Sequence, residues 1–118
     1  MENITIKNLL GKTLVKVIGK KGDGEIQFVT TEGEKFYMYH QQDCCESVLV
    51  EDICGDMDDL VGSPIVQADE ETNRDESLDY SMTWTFYRLA TAKGQVVIRW
   101  LGTSNGFYSE SVDFVKGI

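Results

Sequence analysis

The stretch from Thr83 to Trp100, TWTFYRLATAKGQVVIRW, constrains this chain more than any other. Two runs of aromatic, β-branched and aliphatic residues flank a short turn, which is the pattern of a β-hairpin. Taking Lys93 and Gly94 as a two-residue turn sets Ala90 opposite Val97, Arg88 opposite Arg99 and Phe86 opposite Leu101. Side chains alternate between the faces of a strand. Tyr87, Leu89, Val96, Ile98 and Trp100 are therefore expected in the core. Trp84, Phe86, Arg88, Ala90, Val97, Arg99 and Leu101 share the other face.

That second face asks for an explanation. Like charges directly opposite one another on a sheet destabilise it. An anion between Arg88 and Arg99 relieves the repulsion, and Trp84 and Phe86 offer flat surfaces for stacking. A nucleotide-like ligand meets both demands, with Asn105 and Tyr108 in the next turn as hydrogen-bonding groups. Two plainer readings stand beside this one. The arginines can pair with carboxylates of the same chain, or a bulge at Gly94 can put them on opposite faces.

The rest of the chain is also β-rich. Most of the 11 glycines stand at turn signals, as in GKKGDGE, EGE and SNGF. Short strands with regular turns predict a mainly β fold, a small antiparallel barrel or sandwich, and the length of 118 residues predicts a single domain over residues 1–118. One short helix is expected in CGDMDDLVGSP, capped by Asp56, starting at Met57 and closed by Gly62 before Pro64. DEETNRDESLD, Asp69 to Asp79, is expected as an exposed acidic loop or hairpin tip. The opening hairpin is long for a small fold. Its end is expected to project and to pair with another copy, giving a homodimer or higher homo-oligomer through residues 80–102.

Net charge is −9, from 20 acids and 11 bases. Such a balance repels a phosphate backbone and argues against binding a nucleic-acid polymer. It favours basic partners. No apolar run is long enough for a membrane span, and no signal peptide is visible, so a cytoplasmic location is expected.

YMYHQQDCCESVLVED holds the single histidine, His40, with Cys44 and Cys45; Cys54 follows. Nothing here repeats the paired spacing of a zinc site, and nothing local supplies an oxyanion hole for a thiol nucleophile. The cysteines are expected as reduced thiols that serve packing, since a ring closed by adjacent cysteines is unusual. No phosphate loop, dinucleotide fingerprint, zinc-protease helix, serine elbow or calcium loop occurs. The expectation is a non-enzymatic protein with no catalytic residues, no metal and no cofactor.

The blocks YMYHQQDCCESVLVEDICGDMDDLVGSPI, TWTFYRLATAKGQVVIRW and GTSNGFYSESVDF resemble a family of small phage and prophage proteins of unknown function. The resemblance covers the chain from about Lys12 and implies a phage-derived protein acting in the bacterial host cell. The layout is also similar to the Thoeris anti-defence sponges of phages, small β-barrel proteins that sequester cyclic ADP-ribose isomers. None of their ligand-contacting residues is matched position by position. The resemblance implies a binder of a host nucleotide messenger, a cyclic ADP-ribose isomer or cyclic oligonucleotide; the residues expected to hold it, Trp84, Phe86, Arg88, Arg99, Asn105 and Tyr108, come from the hairpin pattern and the turn after it. The alternative is an acidic inhibitor that covers a basic surface of a host defence or nucleic-acid enzyme by charge mimicry.

Overall fold

In a computed structural model of the chain, residues 2–76 and 80–117 are described. Among them, β1 (Glu2–Asn3), β2 (Leu14–Ile18), β3 (Glu25–Thr30), β4 (Lys35–Tyr39) and β9 (Asp113–Lys116) build one antiparallel sheet in the order β1-β9-β4-β3-β2. The other sheet, also antiparallel, has the order β5-β8-β7-β6, from β5 (Ser47–Cys54), β6 (Gln67–Glu76), β7 (Ser81–Thr91) and β8 (Gly94–Ser104). The protein is mainly β, and among the described residues its strands form two antiparallel sheets with no closed barrel.

Alternation in the sequence decides which face each strand buries. Ile26 and Phe28 on β3, Phe36 and Met38 on β4, and Phe114 on β9 point into the core from the first sheet. Tyr87 and Leu89 on β7 and Val96, Ile98 and Trp100 on β8 meet them from the second, as the alternation of the hairpin predicts. The Phe114 ring stacks on Phe36 at 5.8 Å and meets Phe28 edge-on at 6.1 Å. The Trp100 indole N–H points to the Met38 sulfur at 3.0 Å, tying the sheets together. Each such large apolar side chain contributes roughly 1.5–3 kcal/mol on burial.

Three expectations need correction. The helix capped by Asp56 is a single 3-10 turn, Met57–Leu60. Asp56 does accept from the Asp58 amide at 2.9 Å, and Gly62 takes φ +88°, so the capping residues are as expected while the element is shorter. Pro64 and the early glycine leave no room for more turns. A second 3-10 turn, Ile6–Leu9, carries no strong sequence signal and buries Ile6 and Leu9.

The acidic segment is a strand for most of its length. From Gln67 to Glu76 it pairs with β7 as the edge of the second sheet; Ser77–Asp79 lie outside the described residues. Beyond Ala68 the strand is exposed, so nothing selects apolar residues there. A charged, solvated edge also discourages pairing with other chains.

The hairpin turn is made by Ala92 and Lys93, with Thr91 opposite Gly94. Arg88 then faces Val97, and Arg99 faces Phe86, so the two arginines are diagonal neighbours rather than a direct pair. The slip is two residues, which keeps every side chain on its expected face. Gly94 does not take a positive φ. A Cβ there would stand 2.8 Å from an Asp59 carboxylate oxygen, so the glycine serves close approach to the 3-10 turn. Lys93 Nζ donates to the Val61 carbonyl at 2.5 Å, and the Thr91 hydroxyl donates to the Asp59 carbonyl, pinning the turn there.

Candidate functional site

The outer face of the second sheet carries Trp84, Phe86, Arg88 and Arg99 side by side, and no layer of the described chain covers it. Arg99 lies 5.3 Å from the Trp84 ring centre and Arg88 lies 5.9 Å from that of Phe86. Both guanidinium groups are already paired. Arg99 Nε and Nη2 reach Glu51 Oε2 at 2.5 Å, and Nη2 lies 3.7 Å from Asp52. Arg88 Nη2 meets Glu71 Oε2 at 2.9 Å. A register break in β5 between Val50 and Asp52 puts Glu51 beside Arg99, a common use of a bulge. The repulsion that called for a bound anion is thus relieved within the chain.

Asn105 and Tyr108 do not join that face. Asn105 Oδ1 accepts from the Phe107 amide at 3.0 Å and shapes its own turn. Tyr108 lines a cleft of about 300 Å³ with Glu70, Thr72, Arg74, Thr83 and Glu110, residues of the inner face and of the segment after β8. The six candidates therefore divide between two surfaces.

Two carboxylates outside the six candidates organise that end of the molecule. Glu110 is 5% exposed and accepts from Ser81 Oγ at 3.0 Å, from Thr83 Oγ1 at 2.7 Å and from the Ser104 hydroxyl. A Cβ at position 102 would come within 2.7 Å of the Glu110 Cβ and carbonyl, so Gly102 makes this approach possible. The spacing of Ser81, Thr83 and Ser104 on one face is the signal that could have found this carboxylate.

Glu46 is the second. Its carboxylate accepts from His40 Nε2 at 2.9 Å, from the Cys44 amide at 2.8 Å and from the Asp43 amide at 3.0 Å. The His40 bond is the main reason its carboxyl is held down to about 2; burial opposes this, and the backbone amides assist. The other His40 nitrogen is 2.7 Å from the Ser111 carbonyl oxygen. This histidine thus joins the 40–46 loop to the segment before β9. In the same loop Cys44 and Cys45 are joined in a disulfide, where reduced thiols were expected, and Cys54 is free and exposed. Among the described residues no group of histidine, cysteine and acidic side chains is arranged to hold a metal ion.

No helix among the described residues is long and apolar enough to cross a membrane. No curated protein and no solved structure matches the chain. A family model does match, over residues 7–114, and the chain belongs to that family, described as a domain of unknown function (DUF7448).

Proposed function

We propose that this protein is a non-enzymatic binding protein whose acidic edge strand engages a basic surface on another protein. We also read its two sheets as the layers of a small sandwich. The observation that carries the proposal is β6: an edge strand exposed from Glu70 onward, with Asp69, Glu71 and Asp75 in one outward row. A net charge of −9 adds a long-range field that speeds encounter with a cationic partner.

The test is retention of bacterial lysate proteins on the immobilised chain, eluted by rising salt. Basic nucleic-acid-binding proteins are expected to be retained and to elute early. Joint Asp69→Asn, Glu71→Gln and Asp75→Asn substitution should abolish retention, whereas Arg99→Ala should not. Retention that ignores the triple substitution overturns the proposal.

A second reading, sequestration of a nucleotide messenger, rests on the shared outer face of Trp84, Phe86, Arg88 and Arg99. An anionic ligand there must displace Glu51 and Glu71, so affinity should rise in Glu51→Gln and vanish in Arg99→Ala. Titration with cyclic ADP-ribose and with a cyclic dinucleotide decides it. Uptake by the wild type and loss in Arg99→Ala would favour a phage-type sponge over the basic-partner reading. Association of copies through residues 80–102 belongs to either reading, because the same face offers Leu49, Trp84 and Leu101 in one row.

A further inference from the structure

Past Ala68 the inner row of β6 is exposed, and the segment from Tyr108 to Val112 lies across it. The cleft of about 300 Å³ described above lies between them. A smaller one of about 150 Å³ adjoins it, sharing Glu70 and Val112 and reaching Tyr87.

We propose that this cleft binds a guanidinium group. Its lining holds two carboxylates, Glu70 and Glu110, that form no ion pair among the described residues. Glu110 is bonded to three hydroxyl groups, and no lysine or arginine of the described residues pairs with it. Hydroxyl donors satisfy the oxygens of a buried carboxylate but leave its charge in place. On the opposite wall Glu70 accepts from the Tyr87 hydroxyl at 3.0 Å and is likewise without a cationic partner. The phenol remains a donor there, because burial, then the Glu70 charge, push its ionisation up. Arg74, the cation of the cleft, is held by Glu76 at 2.8 Å and by Ser81 Oγ at 3.1 Å, so its charge is spoken for.

Acceptors from two walls suit a flat cation with donors round its rim. A guanidinium has five N–H donors in a fixed plane and stacks on aromatic rings such as Tyr108, whereas an ammonium has three on a compact head. Anions are repelled by both carboxylates. A buried polar group lies beside the two clefts without lining either. The Thr85 hydroxyl is buried with no hydrogen-bond partner. On the inner face Thr85 lies between Thr83 and Tyr87 and opposite Thr72, all residues that line the two clefts. A cation is what the carboxylates of this patch lack.

The guanidinium can come from a free alkylguanidine or from an arginine side chain on a protein. The cleft is on the face opposite to the Asp69, Glu71 and Asp75 row, so this inference stands or falls separately from the basic-partner reading.

Amide NMR and calorimetric titrations of the full chain test it, with agmatine for the free molecule, the peptide Gly-Arg-Gly for the side chain and cadaverine as the ammonium control. Shifts should concentrate at Thr72, Thr83, Tyr108 and Glu110. Agmatine or the peptide should bind about tenfold or more tightly than cadaverine, and Glu70→Gln should weaken binding by a similar factor, as expected for loss of a charge-assisted bond. Glu110→Gln should do the same, with Glu70→Gln as the variant that leaves the buried hydroxyl network intact. Agmatine binding without peptide binding assigns the site to a free molecule; peptide binding assigns it to a partner's arginine. No shift at these residues with either guanidinium probe, equal binding of cadaverine, or binding that both glutamate substitutions leave unchanged overturns the inference.

Discussion

Single residues divide into those with a local signature and those defined by distant neighbours. Asp56 was legible, because an aspartate before a short polar turn closed by glycine is a cap wherever it occurs. Glu110 was not: it is one carboxylate among 20 acids, and two of its partners, Ser81 and Thr83, stand far away in the sequence. The role of Glu46 is open to a pH measurement. Its folded carboxyl titrates at about 2, against an ordinary 4.5. A depressed folded value means that the stabilisation is fully present above about 4.5 and is lost as pH falls through about 2. Urea unfolding of the wild type should show its midpoint falling across that interval. Glu46→Gln should start lower at neutral pH and fall less steeply. Parallel curves for the two proteins would mean that the His40 bond contributes nothing to folding.

At the level of elements, periodicity did most of the work. The hairpin and its two faces were legible because a slip of two residues leaves the faces unchanged. The pairing itself was not, since Lys93–Gly94 looks like a turn in isolation. Contacts of Thr91, Lys93 and Gly94 with the distant 3-10 turn select Ala92–Lys93 instead. The strand β6 was hidden for a related reason: an edge strand outside the core loses the apolar alternation by which strands are recognised. The face assignment has a direct consequence for the two tryptophans. Trp100 is fully buried, while Trp84 lies on the outer face beside Arg99. Trp100→Ala should lower the unfolding free energy by about 3–5 kcal/mol, as large core truncations do. Trp84→Ala should cost about 1 kcal/mol, mainly its cation–π contact. Acrylamide should quench Trp84 and spare Trp100. Equal costs would mean that the outer face is covered.

For the whole molecule, charge and apolar surface pull in opposite directions. The described chain measures 45 × 29 × 20 Å, and its longest strands form one face that no other layer covers. Leu49, Trp84 and Leu101 form an apolar row across that face, continued by Asn73 on β6, and the next row towards the hairpin turn runs from Asp52 through Arg99 and Phe86 to Glu71. Burying such a row against a second copy is favourable, but it brings two chains of net charge −9 together. Much of that repulsion acts through solvent and fades as the screening length falls from about 30 Å in dilute salt to about 3 Å at 1 M. Apolar contact is not screened. Sedimentation velocity should therefore show monomer in dilute salt and a growing dimer as salt rises, the reverse of the salt response expected for a basic partner. Leu101→Asp should hold the chain monomeric throughout. Neutralising Asp69, Glu71 and Asp75 should move dimer formation to lower salt. A monomer at every salt concentration would rule out pairing through residues 80–102 and leave the outer face to another ligand.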